Sequence, residues 1–188
     1  IVAAVPYLSS MGTFVHRGNE YTVNHQQRLK GGVFARRKDN GELESHFNIL
    51  PGKGVSHRYF VDPEDGVFKI KFGQSEIPLM PLLRAMGTTD RELRDAWGDG
   101  IWQANIAKND TGALKKLAAR LLRQKDLEGS DAATATQKLV DKFHGMELDS
   151  SVTHRTLGKP YDRVNKEAIL SATSKLLRVS RKESDPDD

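Results

Sequence analysis

The sequence predicts an α+β fold in which an antiparallel β-hairpin subdomain packs against a helical subdomain. Two observations carry this. Residues 10–75, approximately, hold short β-branched and aromatic runs separated by Gly, Asn, Asp and Pro turn signals, whereas residues 78–183, approximately, carry apolar side chains at helical spacing between capping residues. Strand signals in one block followed by helix signals in another define an α+β arrangement rather than alternating β-α units. The chain of 188 residues is long enough to bury a core, and residues 1–188 read as a single domain.

In order along the chain, Phe14-Val15 and Tyr21-Thr22-Val23 flank Arg17-Gly18-Asn19, a tight-hairpin signal. Gly32–Arg37 and Glu44–Ile49 flank Asn40-Gly41, the pair preferred in a type I′ turn. His57–Val61 and Val67–Phe72 flank Asp62-Pro63-Glu64-Asp65-Gly66, a turn of Asx, Pro and Gly residues. Three successive hairpins predict an antiparallel sheet. Helices follow. Pro78 and Pro81 precede Leu82, Leu83 and Met86, with Gly87 as the residue that ends the turn. Thr89-Asp90-Arg91-Glu92 is a capping box opening a helix through Leu93 and Trp97. Ala113, Leu114, Leu117, Leu121 and Leu122 repeat at helical spacing, with Lys115, Lys116, Arg120 and Arg123 mostly opposite them. Ser130 is placed to cap a helix striped by Ala132, Ala135, Leu139, Val140 and Phe143 and stopped by Gly145. Residues 146–162 have no clear period and are expected to be irregular. Asn165 caps the last helix, which carries Ile169, Ala172, Leu176 and Leu177, and Val164 with Ile169 forms its hydrophobic staple.

Composition narrows the chemistry. There is no cysteine, which excludes disulfides, thiolate nucleophiles and Cys-based zinc sites. No apolar run approaches the roughly 20 residues that span a bilayer, so no membrane partner is expected. The six histidines fall at no metal-ligand spacing, no G-x-S-x-G elbow occurs, and Gly52-Lys53-Gly54-Val55-Ser56 lacks the full phosphate-loop pattern. The first residue is Ile1 rather than Met, and the opening is too short for a signal sequence; the chain is expected to be cut from a longer polypeptide. Trp97 and Trp102 flank Gly98-Asp99-Gly100 and are expected to anchor a helix end in the core.

A formal charge of +4 favours contact with phosphate or another acidic surface. The densest cation run is Arg28, Lys30, Arg36, Arg37 and Lys38, five charges around Gly31-Gly32. Adjacent glycines let backbone approach a phosphate that Arg and Lys neutralise, which makes these five candidate phosphate contacts. On the residues alone, a strand whose exposed face is simply charged explains them as well. Lys115, Lys116, Arg120, Arg123 and Lys125 form a basic helical face of the ordinary solvated kind.

The segment Val5–Phe34 resembles part of the second-largest subunit of multi-subunit DNA-directed RNA polymerases, the bacterial β subunit and its relatives. The pieces that carry the resemblance are Val5-Pro6, Gly12-Thr13-Phe14, Arg17-Gly18-Asn19-Glu20, Val23, the basic stretch from Gln26 to Lys30, and Gly32-Val33-Phe34. Ile77–Gly87 with Thr88–Leu93, and the end from Ile169 to Asp187-Asp188, are similar too, about half the chain in all. Residues 98–160 match nothing. Where bacterial members carry Arg-Ser-Pro this chain has Arg28-Leu29-Lys30-Gly31, which suggests a divergent member such as one from a phage.

The resemblance implies the lobe of that subunit, one wall of the DNA cleft near downstream DNA and the non-template strand. It places Arg28, Lys30, Arg36, Arg37 and Lys38 toward the channel, and Gly32, Val33 and Phe34 beside the rifamycin-type inhibitor pocket. The partners it implies are DNA, the largest (β′-like) subunit and transcription factors, in the cytoplasm of a bacterial or phage-infected cell. It implies no catalytic residue and no cofactor in this piece. The parent polymerase, a nucleotidyltransferase, holds its Mg²⁺ on an Asp-rich loop of the largest subunit. Two other classes stay open: a stand-alone basic nucleic-acid-binding module, and a domain that docks a transcription factor.

Overall fold

The computed structural model describes residues 6–24, 27, 29–108, 112–122 and 129–187. Strands β1 (Phe14–His16) and β2 (Asn19–Tyr21) form a two-stranded hairpin on their own. Arg17 and Gly18 at its tip have φ of 50° and 78°, the positive-φ pair that a type I′ turn requires. The other strands make a five-stranded antiparallel meander in chain order: β3 (Gly32–Arg37), β4 (Leu43–Asn48), β5 (His57–Val61), β6 (Phe68–Phe72) and β7 (Ser75–Pro78). The first hairpin therefore stands outside the sheet that three successive hairpins predicted. It has no apolar face to bury there: Val15 and Tyr21 remain 55% and 52% exposed.

Asn40-Gly41 sits at a hairpin tip as expected, but the turn is wider than type I′. Only Gly41 of the pair has positive φ. Asn40 Oδ1 accepts the Glu42 N–H, an Asx contact, while the Lys38 N–H donates to the Glu42 carbonyl. Pro78 belongs to β7, an edge strand where the missing N–H is tolerated.

Seven helices follow among the described residues: α1 (Met80–Ala85), α2 (Asp90–Trp97), α3 (Asp99–Ile106), α4 (Gly112–Leu121), α5 (Ala132–His144), α6 (Ser150–Leu157) and α7 (Lys166–Ser180). The α2 capping box forms in full, the Thr89 side chain accepting the Glu92 N–H and the Glu92 carboxylate accepting the Thr89 N–H. Lys166 adds an ion pair to Glu92, and together these bonds hold its carboxyl down to about 2. Asn165 caps α7 through the Ala168 N–H, with Val164 and Ile169 both buried. The cap of α5 is Asp131 rather than Ser130.

Residues 146–162 are not irregular throughout. They contain α6, capped by Asp149, whose Oδ1 accepts the Ser151 and Val152 N–H groups, and ended by Gly158 in the left-handed region. Only Val152 and Leu157 are large and apolar in these eight residues, too few to print a period. The polar Thr153 takes a core position instead. Its Oγ1 donates to the Tyr161 carbonyl and accepts the Tyr161 N–H.

The core lies between the sheet and the helices. Across the inner sheet face run Ala35, Ser45, Tyr59, Ile70 and Ile77, all buried and in register. Helix α7 crosses β3, β4 and β5 on this face, with α2 beside it. Trp97 is wholly inside, its ring 4.7 Å from that of Phe68 and its Nε1–H on Thr173 Oγ1 at 2.8 Å. Trp102 donates to Asp90 and carries the Arg94 guanidinium 3.9 Å over its ring, so both tryptophans anchor protein structure.

Candidate nucleic-acid interface

Register decides which cations meet. In β3, side chains alternate between faces, so Arg36 points to the outer face and its neighbour Arg37 to the other side. Two rows of cross-strand neighbours build that outer face: Arg36, Glu44, Phe60, Lys69 and Pro78 in one, Phe34, His46, Arg58, Lys71 and Glu76 in the other. Arginine, lysine and aromatic side chains are thus interleaved on a partly exposed face, on which Phe34 and Glu44 are buried. His46, Arg58, Phe60, Lys69 and Lys71 enter the site with no counterpart among the sequence-derived candidates. Lateral register between the strands is what places them beside Arg36.

The charges on this face are largely satisfied. Arg58 reaches Glu44 at 3.4 Å, Lys71 reaches Glu76 at 2.6 Å, and Lys69 pairs with Asp62. Lys38 holds Glu42 at 2.7 Å and Glu44 at 3.6 Å, contacts that raise its pKa, chiefly through the Glu42 hydrogen bond. Arg36 makes no ion pair among the described residues and is the free cation of the face. Next to it, His46 is driven toward its neutral form by burial, then by Arg58 and Arg36, and its Nδ1 has no hydrogen-bond partner.

The other candidates are placed as follows. Arg28 lies outside the described residues. Lys30 is exposed on the approach to β3, where the Asn48 amide fixes the Leu29 and Lys30 carbonyls at 2.6 and 2.8 Å. Gly31 and Gly32 are buried, and both serve packing. A Cβ on Gly31 would lie 2.7 Å from Leu50 Cδ2; one on Gly32, at φ 151°, would lie 2.5 Å from Val152 Cγ1. Helix α6 therefore occupies the space next to Gly32 into which a phosphate was expected to come. Val33 is wholly inside the core and Phe34 is 8% exposed against α6. No group of three or more His, Asp or Glu residues among those described is arranged to hold a metal ion, and no described helix is long and apolar enough to cross a membrane.

Comparison with known proteins adds sequence relatives to this geometry. No family model matches the chain. Its relatives include the DNA-directed RNA polymerase subunit beta of Porphyromonas gingivalis, 27% identical over 191 aligned positions that take in 98% of this chain. The subunit beta of Cytophaga hutchinsonii is 27% identical over 174 positions, 88% of the chain, and that of Staphylococcus saprophyticus 32% identical over 108, 56% of the chain. The chain is similar to RNA polymerase β subunits. It spans 14%, 13% and 9% of the length of these three relatives. The β-subunit similarity thus runs through residues 98–160, where no motif was legible, as well as through the outer sheet face.

Proposed function

We propose that this chain is the lobe of the β subunit of a DNA-directed RNA polymerase, forming part of the cleft wall near downstream DNA and the non-template strand. The observation that carries the proposal is the alignment of 98% of the chain with one continuous part of a bacterial β subunit. Two structural features support it. The chain leads into its globular part at β3, and the segment before Asp187 returns to that same strand: the Asp187 N–H donates to the Ala35 carbonyl at 2.6 Å, and its carboxylate accepts the Ala35 N–H at 2.8 Å. Incoming and outgoing segments side by side are the geometry of a module inserted in a larger protein. The outer sheet face, with Arg36 free among Phe60, His46 and Arg58, supplies a surface suited to sequence-independent phosphate contact.

On this reading the chain contributes surface, not chemistry. Nucleotidyl transfer and its Mg²⁺ belong to the rest of the enzyme, the principal partners are DNA and the largest subunit, and the location is the cytoplasm. The departure at Arg28-Leu29-Lys30-Gly31 supports reading it as a divergent member, such as one from a phage. The test is the intact mass of the native gene product, with its co-purifying proteins identified. The expected result is a chain far heavier than 21.0 kDa that travels with a largest-subunit partner. A free protein of that mass without polymerase partners overturns the lobe and favours a stand-alone binding module.

A further inference from the structure

A cleft of about 660 Å³ runs along α7. Its floor is one face of that helix, from Glu167 through Leu170, Ser171 and Ser174 to Arg178, ~16 Å of helix. The end of α2 forms one wall with Asp95 and Ala96. The last turn of α6 and the loop after it form the other, with Arg155, Leu157, Lys159 and Tyr161.

Charge is distributed unevenly in this cleft. Arg155, Lys159 and Arg178 make no ion pair among the described residues. Lys175 is already committed, to Asp187 at 2.7 Å and to the Thr156 carbonyl at 2.6 Å. Of the acids in the lining, Glu92 is committed to Lys166 and the α2 cap and Asp95 lies 3.9 Å from the Arg91 guanidinium, which leaves Glu167. The lining also holds Ala96, Leu157 and Leu170, partly buried apolar groups packed against the core. Ser174 and Ser184 add hydroxyls.

We propose that this cleft docks an acidic segment of a protein partner, carboxylates on Arg155, Lys159 and Arg178 and an apolar side chain over Leu157 and Leu170. Arg155, Lys159 and Arg178, three lining cations without ion pairs among the described residues, complement a short run of Asp or Glu. Two features disfavour a nucleic-acid strand. Glu167, Asp95 and Glu92 line the same cleft and repel a polyanion that must pass along it, whereas a peptide can present acidic residues at one end only. An apolar floor between charged walls suits a leucine-like anchor, as in helix-in-groove and short-motif recognition. The inference is independent of the polymerase reading, since a free protein and a lobe would present the same cleft.

The test is fluorescence anisotropy with the full chain and a fluorescein-labelled peptide acidic at one end only, Asp-Asp-Asp-Leu-Ser-Gly-Leu. Controls are the same peptide with Lys for Asp, and a single-stranded oligonucleotide of equal charge. We expect saturable, salt-sensitive binding of the acidic peptide, weakened about tenfold or more by Arg178→Glu. Filling the cleft with Ser174→Trp is expected to do the same, while the Lys peptide does not bind and the oligonucleotide does not displace the acidic one. Arg178 is exposed, so its reversal leaves the fold intact even where Ser174→Trp does not; equal melting temperatures check this. Absence of saturable binding, equal affinity for wild type and Arg178→Glu, or displacement by the oligonucleotide would each overturn the proposal.

Discussion

A neutral imidazole sealed among aromatic rings makes the fold sensitive to pH at one residue, His57. His57 stacks on Phe47 and Phe72, with ring centroids at 5.3 and 4.9 Å, and meets Tyr59 and Phe143 edge-on. Its Nδ1 lies 3.0 Å from the Val55 carbonyl, which can only accept, so Nδ1 carries the proton and Nε2 accepts from the Tyr59 hydroxyl, also at 3.0 Å. Burial pushes its pKa down from 6.5 to about 4, against the Val55 bond that favours the protonated ring. Protonation is thus easier in the unfolded chain. The stability held by the neutral ring is complete above pH ~6.5 and is lost as pH falls toward 4, by ~3 kcal/mol at most. His46, also shifted down, adds loss in the same direction. Urea unfolding at pH 7 and pH 4.5 is expected to show this loss. In His57→Phe the slope over that interval is expected to shrink, although the variant is less stable at pH 7 because the Tyr59 hydroxyl loses its acceptor. An unchanged slope would assign the acid sensitivity elsewhere. The carboxylates held low by caps and pairs, such as Glu92, act in a separate window at lower pH.

At the scale of elements, the segment before Asp187 closes the free edge of β3, an edge that would otherwise expose unpaired backbone groups. Lys175 fixes this closure with bonds of 2.7 and 2.8 Å to the two Asp187 carboxylate oxygens, and both side chains are largely screened from water. Asp187→Ala removes the charge partner and the Ala35 N–H acceptor together and is expected to destabilise the chain by about 2 kcal/mol. Asp187→Asn, which keeps an acceptor, is expected to lose less. A double-mutant cycle with Lys175→Met, read by urea unfolding, isolates the pair; zero coupling would reduce the closure to a passive contact. Local chemistry made some elements legible beforehand. The Thr89 capping box, the Asn165 cap and the β3–β4 hairpin are dictated by residues within a few positions of each other. Helix α6 was not legible, because its stability comes from Asp149 at one end and from Thr153 bonding across to Tyr161, neither of which makes an apolar stripe. Helix α3 was not legible because the burial of Asn105 at its end depends on distant partners as well as on the Ile101 carbonyl: it accepts the Phe68 N–H and donates to the Gly66 carbonyl. The candidate site divides similarly, Arg36 being visible in a cation run and its neighbours only in the sheet register.

For the whole molecule, the distribution of free and committed charge matters more than the formal +4. The β1–β2 arm, with Tyr7, Met11 and Val23 at 99%, 82% and 73% exposure, has little core of its own, and an isolated two-stranded hairpin is at best marginally stable in water. If the outer sheet face lines a DNA channel, each cation that replaces a counterion on phosphate contributes about 0.9 to the slope of log affinity against log salt. Charge reversal at Arg36 or Lys30 in the parent polymerase is therefore expected to weaken the open complex and flatten its salt dependence by nearly one unit each. Reversal at Lys38, Lys69 or Lys71 is expected to change the slope less, because these ammonium groups already neutralise Glu42, Asp62 and Glu76. Measuring open-complex lifetime across a salt series for the five variants ranks them. Equal slopes for all five and the wild type would take this face out of the channel. Equal losses for all five would mean that DNA displaces the ion pairs, and that charge number rather than pairing governs contact.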